Sequence, residues 1–192
     1  IPRSEMSDIK WTQFLQAASA APYIAVDTET NGQDVRDGRG YAIGLSISVS
    51  LNGLNSVSTY IPYRHRQDNY SLTRIDAIRD LLTNHSCLIF HNAKFDLVSL
   101  RTMGIDYQGK FYDTMLMAHW CDENIPSKAL DYLGKKYFNE GKRNVSFIAD
   151  VAEFVGWGNM PVENLEEYAA YDTHLTLKLY NLLMLDFDAQ GL

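Results

Sequence analysis

Apolar and polar positions along the chain change their period several times, and each change marks an element. Residues 1–20 carry a short helical pattern, Trp11, Phe14, Leu15 and Ala18, suited to packing on the main body. Pro22 introduces Tyr23-Ile24-Ala25-Val26, an apolar run that predicts a buried strand. Asn31-Gly32 marks a turn and residues 37–40 a loop. Residues 44–50 then alternate apolar with polar, as a half-buried strand does. Asn52-Gly53 breaks that strand, and residues 57–61 read as its hairpin partner.

Beyond the hairpin the spacing becomes helical. Leu72, Ile75, Ile78, Leu81 and Leu82 mark one helix face, Cys87-Leu88-Ile89-Phe90 a strand, and residues 93–103 a second helix ended by Gly104. Phe111-Tyr112 reads as a last short strand, followed by helices over 113–121, 128–138, 146–155 and 162–186. Strands first, then strand–helix alternation, then helices predict an α/β domain. Its mixed central sheet is flanked by helices, with a helical C-terminal half. A ribonuclease-H-like arrangement is one fold with that order.

Composition adds limits rather than detail. The 192 residues are 46% hydrophobic and 21% charged, as expected for one soluble globular domain with a core at about 20–190. No apolar run approaches the ~18 residues that span a bilayer, so no membrane partner is expected. Residues 1–5 lack both an initiator methionine and a signal-peptide pattern, which reads as a fragment or processed product. Cys87 and Cys121 sit far apart in apolar stretches and read as reduced core residues. The expected setting is cytoplasmic, or an organellar or viral replication compartment, rather than secretion. The net charge of −7 does not exclude nucleic acid. A protein that grips a few phosphates through cations needs acidic ligands, and the metal reverses the local field.

Four of the 24 acidic residues are not explained as solvated surface charge. Asp27 and Glu29 close the first strand two residues apart, so their side chains share a face. Like charges so placed repel unless a cation lies between them; the bland alternative is a polar strand end. Asp96 falls on the inward stripe of its helix with Ala93, Leu97, Leu100 and Met103. Asp172 stands within the stripe Leu165, Ala169, Leu175, Leu179 and Leu182, one turn after Tyr168. An inward carboxylate costs several kcal/mol unless paired or bound to metal. A structural Tyr168–Asp172 hydrogen bond is the alternative there. Taken together, the four point to a shared site for Mg²⁺ or Mn²⁺, because the ligands are all oxygen and no His/Cys cluster has zinc spacing.

These positions coincide with known motifs. Val26-Asp27-Thr28-Glu29-Thr30 resembles the first motif of the DEDD superfamily of 3′→5′ exonucleases. His91-Asn92-Ala93-Lys94-Phe95-Asp96 resembles the second, and Tyr168-Ala169-Ala170-Tyr171-Asp172 the third in the form that defines the tyrosine branch. The segments Phe111-Tyr112-Asp113-Thr114-Met115-Leu116 and Lys128-Ala129-Leu130-Asp131-Tyr132-Leu133 resemble the proofreading domains of family A DNA polymerases. Leu177-Lys178-Leu179-Tyr180 and the closing Ala189-Gln190-Gly191-Leu192 resemble the stretch leading into the polymerase module.

The resemblance implies a ribonuclease-H-like fold and a two-metal 3′→5′ exodeoxyribonuclease acting on single-stranded or mispaired DNA 3′ ends. It also implies a linked or associated polymerase. Asp27, Glu29 and Asp172 would hold one cation, Asp27 would bridge to the second, and Asp96 would act on the second through water. Tyr168 would orient the attacking water, a phenol of ordinary pKa ~10 being a poor general base. Thr28 and Asn92 would contact the terminal nucleotide, and Phe147 falls where a stacking aromatic is expected; a core phenylalanine is its alternative. Arg64, Arg66, Lys135, Lys136, Lys142 and Arg143 are candidates for phosphates, while His65, His85, His119 and His174 lack ligand spacing and read as structural or surface residues. The rival functions are an RNA-trimming exoribonuclease of the same branch and a non-catalytic nucleic-acid or partner-binding module.

Overall fold

A computed structural model describes residues 6–32, 34–51, 56–141 and 155–190. The helix expected over 146–155 lies almost wholly outside the described residues, as do Phe147, Lys142 and Arg143. In chain order the described elements are α1 (Asp8–Ala20), β1 (Ile24–Thr30), β2 (Ala42–Ser50), β3 (Ser56–Pro62) and α2 (Leu72–Asn84). There follow β4 (Cys87–Phe90), α3 (Ala93–Thr102), β5 (Lys110–Asp113), α4 (Thr114–Cys121), α5 (Leu130–Phe138) and α6 (Val162–Gln190). The sheet runs β3-β2-β1-β4-β5. β1, β2 and β3 pair antiparallel, whereas β1 with β4 and β4 with β5 pair parallel. This is the mixed ribonuclease-H-like sheet that the order of periods predicts.

The hairpin strands pair antiparallel because β2 and β3 are joined by a short connection, while β4 and β5 follow helices and must return parallel. β2 departs from the expected half-buried strand, since every residue from Ala42 to Val49 is buried. The reason is that both faces of the sheet are covered. On one face Leu45, Ile47 and Val49 pack with Trp11, Phe14 and Ala18 of α1 and Ile75, Ile78 and Leu82 of α2. On the other, Ser48 donates to Thr173 Oγ1 of α6 at 2.9 Å. The polar alternation thus marks small residues under a helix rather than residues open to water.

Helix faces are otherwise close to their predicted phase, with two shifts. Leu72, expected on the face of α2, begins that helix at 72% exposed, and the buried stripe starts at Ile75. On α6 the stripe closes on Leu183, with Leu182 only half-buried. Gly104 ends α3 with φ +81°, a left-handed value that a glycine adopts without a Cβ penalty. The N–H groups of Gly104 and Ile105 then close on the carbonyls of Arg101 and Leu100. α1 is fastened to α2 by Arg74, whose guanidinium lies 5.0 Å from the Trp11 ring and 5.5 Å from that of Tyr70, and donates to Asp8 at 2.8 Å. Both cysteines are free; Cys87 is buried as expected, but Cys121 lies at the margin, half-buried. No helix of the described residues is long and apolar enough to cross a membrane.

Candidate active site

The carboxyl end of β1 carries the first motif, and the strand's alternation sends its residues two ways. Asp27 and Glu29 sit opposite Ser46 and Gly44 of β2, on the face covered by α6, and both remain half-buried. Thr28 points to the opposite face and is 6% exposed. There it meets α3: the Thr28 hydroxyl donates to Asp96 Oδ1 at 2.7 Å and its backbone N–H donates to the same oxygen at 2.9 Å. Thr28, expected at the terminal nucleotide, here engages its hydroxyl with a carboxylate.

Asp96 is 2% exposed, as its place on the inward stripe predicts. Burial holds its carboxyl well above the ordinary range, and the negative charge of Asp27 pushes further in the same direction. The two Thr28 hydrogen bonds oppose the shift without cancelling it. The Asp27 charge disfavours the ionised form of Asp96 unless positive charge arrives.

α6 supplies the third motif. Asp172 is 4% exposed and precedes Thr173, which is bonded to Ser48; Ser48 pairs with Ala25, two residues before Asp27. Asp172 thus belongs to the helix that covers the face of β1 bearing Asp27 and Glu29. Tyr168, one turn earlier, packs against the buried group Ile43, Tyr60, Met160, Leu165 and Ala169. Its ring stands 6.4 Å from that of Trp157.

Asp113 is a residue that sequence reasoning passed over. It ends β5, paired with Phe90 of β4, and is buried. Its Oδ1 accepts from Asn92 N–H at 2.9 Å and Met115 N–H at 3.0 Å, and its Oδ2 accepts from Ala93 N–H at 2.9 Å. It therefore caps α4 and also satisfies the first amides of α3, which helix geometry leaves without intrahelical partners. Asn92 itself is left-handed, at φ 81° and ψ 53°, with its side chain not used as a cap. Beside it, Thr114 donates to the Phe90 carbonyl and shares a 2.8 Å hydrogen bond with His91 Nδ1. The available signal was an Asp directly before a helix, an N-cap pattern, but its second duty to α3 depends on tertiary pairing.

Other candidates fall elsewhere. Lys135 pairs with Asp131 at 2.7 Å and Lys136 with Asp122 at 3.3 Å. Arg64 is exposed, with its guanidinium 4.7 Å from the Tyr63 ring and 5.5 Å from that of Tyr41; Arg66 is also exposed. His85 is buried between the carbonyls of Cys87 and Ala18, and His174 is bonded to Ser56, both structural placements as expected. His119 is exposed. Among the described residues, no three His, Cys, Asp or Glu side chains are already gathered into a metal-binding group.

A family model described as 3′-5′ exonuclease matches residues 7–188. DNA polymerase I of Borreliella burgdorferi is 26% identical over 185 residues, covering 94% of this chain but 19% of that protein. The chain thus spans about a fifth of the length of such polymerase relatives. Among solved structures, Escherichia coli RNase D, an exoribonuclease involved in structured RNA processing, aligns over 100% of this chain and 46% of its own. Its TM-score is 0.65 at 20% identity. Brucella melitensis NrnC with bound Mg²⁺ aligns over 91% of this chain and 77% of its own, with a TM-score of 0.63 and 17% identity. These structural likenesses establish the shared fold, and the family match, running from α1 through nearly all of α6, establishes that the chain belongs to the 3′-5′ exonuclease family.

Proposed function

We propose that this domain hydrolyses the terminal phosphodiester of single-stranded or mispaired DNA from the 3′ end, as the proofreading part of a family A DNA polymerase. The observation that carries this reading is the placement of Asp27 and Glu29 on one face at the end of β1, with Asp96 buried against Thr28 between them in sequence and Asp172 buried on α6, the helix that covers that face. A site that gathers negative charge while withholding water is costly to leave uncompensated.

The donor set suits hard divalent cations. Asp27, Glu29, Asp96 and Asp172 offer only oxygen, and two of the four are almost wholly buried. Asp27, Glu29 and Asp172 would hold one Mg²⁺ or Mn²⁺, with Asp27 shared, and Asp96 would serve the second through water. When bound, such a pair supplies an activated water and stabilises the departing 3′ oxygen. The chain's own residues orient the rest. Thr28 fixes Asp96 through two hydrogen bonds, Tyr168 holds the attacking water in line, and Asn92, at its left-handed turn, meets the terminal nucleotide. Phe147 would add a stacking surface. The DNA assignment rests on the polymerase relatives and on the 111–116 and 128–133 segments.

The test is digestion of a 5′-labelled single-stranded DNA and the matching RNA, with Mg²⁺, with Mn²⁺ and with EDTA. The expected result is a metal-dependent ladder shortening from the 3′ end, faster on DNA. Faster loss of RNA would keep the hydrolytic chemistry and move the substrate to the RNA-trimming class, to which the RNase D likeness points. Absence of cleavage in both metals would overturn the reading.

A further inference from the structure

Behind the β1 carboxylates lies a polar pair that the exonuclease motifs do not include. Tyr60 is fully buried, and the sheet register places Asp27, Ser46 and Tyr60 in one row across β1, β2 and β3. Paired positions in a sheet project to the same face. Tyr60 therefore stands on the α6 side with Asp27 and Glu29. Its ring leans along the strand, so that the hydroxyl lies over Gly44: a Cβ built on Gly44 would run into the Tyr60 oxygen and Cζ. Gly44 is the cross-strand partner of Glu29. The phenol thus occupies the place beside Glu29 that the side chain of any other residue at 44 would take.

The hydroxyl is held from behind. It shares a 2.7 Å hydrogen bond with His65 Nε2, and the two rings meet edge to face with centroids 5.8 Å apart. His65 is buried, and its loop is locked on both sides. Its backbone N–H donates to Asn69 Oδ1 at 2.8 Å, and Asn69 Nδ2 donates to its carbonyl at 2.7 Å. The phenol also packs with Ile43, Met160, Leu165 and Ala169, the same group that supports Tyr168. An apolar tyrosine contact alone would not require a glycine opposite Glu29 and a buried imidazole on the hydroxyl. Burial pushes the Tyr60 phenol well up, and the charges of Glu29 and then Asp27 add to it.

Resting on the exonuclease reading above, we propose that Tyr60, held by His65 and admitted by Gly44, is a positioning residue that sets Glu29 for cation binding. It is not a catalytic residue, since it touches neither substrate nor the reacting atoms. Outer groups that orient ligands typically change metal affinity on the order of 10-fold or more when removed.

The experiment is Mn²⁺ binding to the full chain without nucleic acid, followed by electron paramagnetic resonance of the free ion, with thermal melts alongside. Tyr60→Phe removes one oxygen and is expected to weaken Mn²⁺ binding on the order of 10-fold; His65→Gln, which keeps a polar partner, should weaken it less. In a Glu29→Gln background, Tyr60→Phe should change the affinity no further, because the group it positions is gone. A purely structural role would lower the melting temperature and leave this coupling absent. Equal Mn²⁺ affinity in wild type and Tyr60→Phe, or an equal loss with and without Glu29, overturns the positioning role and leaves the exonuclease reading intact. A wild-type chain that neither binds Mn²⁺ nor cleaves DNA overturns both.

Discussion

Replacing Asp113 with asparagine tests how the second motif is held, because the structure fixes what is lost. Asp113 Oδ1 accepts from Asn92 and Met115, and Oδ2 from Ala93, all between 2.9 and 3.0 Å. An asparagine retains one acceptor oxygen, which can keep the two bonds made by Oδ1. Its amide nitrogen then faces the Ala93 N–H, donor against donor. A buried donor left without an acceptor costs about 1–3 kcal/mol, and losing the charge from the remaining two bonds adds to this. A total of about 2–4 kcal/mol follows, which for a chain of this size lowers Tm by roughly 5–15 °C. The assay is thermal unfolding by circular dichroism in EDTA, with exposed Asp80→Asn as control, expected within ~0.5 kcal/mol of wild type. Cleavage should fall as well, since the turn at Asn92 and the start of α3 set the place of Asp96. A variant melting within about 1 °C of wild type with full activity would refute the claim that this carboxylate organises the turn.

Further outcomes follow from the same geometry. Asp27→Ala or Asp172→Ala should abolish cleavage, whereas Tyr168→Phe should reduce it while Mn²⁺ binding is retained; full activity in Asp27→Ala rejects the site. Thr28→Val removes the 2.7 Å hydroxyl bond to Asp96 and should cost about 1–2 kcal/mol of stability in the metal-free protein, read by urea unfolding; no change in midpoint would show that this bond carries nothing. Asp96 gives a pH dependence. Its folded carboxyl is raised by burial and by Asp27, so the folded protein keeps a proton that the unfolded chain releases near pH ~4. Metal-free stability must then fall as pH rises from that value toward the raised folded one, and stay lowered above it. Asp96→Asn should therefore melt above wild type at pH 8 in EDTA, with the gap closing near pH 4; wild type more stable than the variant at pH 8 would contradict the shift.

The legible parts of this protein were those written locally. Asp27 and Glu29 are two residues apart on a strand, so their common side follows from the pleat alone. Asp96 and Asp172 each interrupt an apolar stripe, and 3.6-residue spacing suffices to turn them inward, where both are found nearly inaccessible. The strands and helices follow from the same periods, within a residue or two at most ends. Local spacing gives phase but not the extent of what lies opposite. That is why Leu72 was placed on a buried face it does not reach, and why β2 reads as half-exposed when α6 covers its serines.

What the sequence by itself determined, then, is the order of elements, the inward turn of the carboxylates and the family. What only the tertiary structure decided is which neighbours those groups receive. Thr28 serves Asp96 because α3 packs on the face of central β1 opposite α6. Asp113 serves α3 because β5 pairs in parallel with β4, bringing position 113 beside Phe90. Tyr60 reaches the neighbourhood of Glu29 only through the register of three strands and the missing side chain at Gly44. Each of these contacts joins residues between 14 and 68 positions apart in the chain. Side-chain periodicity repeats every two or 3.6 residues and carries no information over such distances; strand pairing and helix packing supply it.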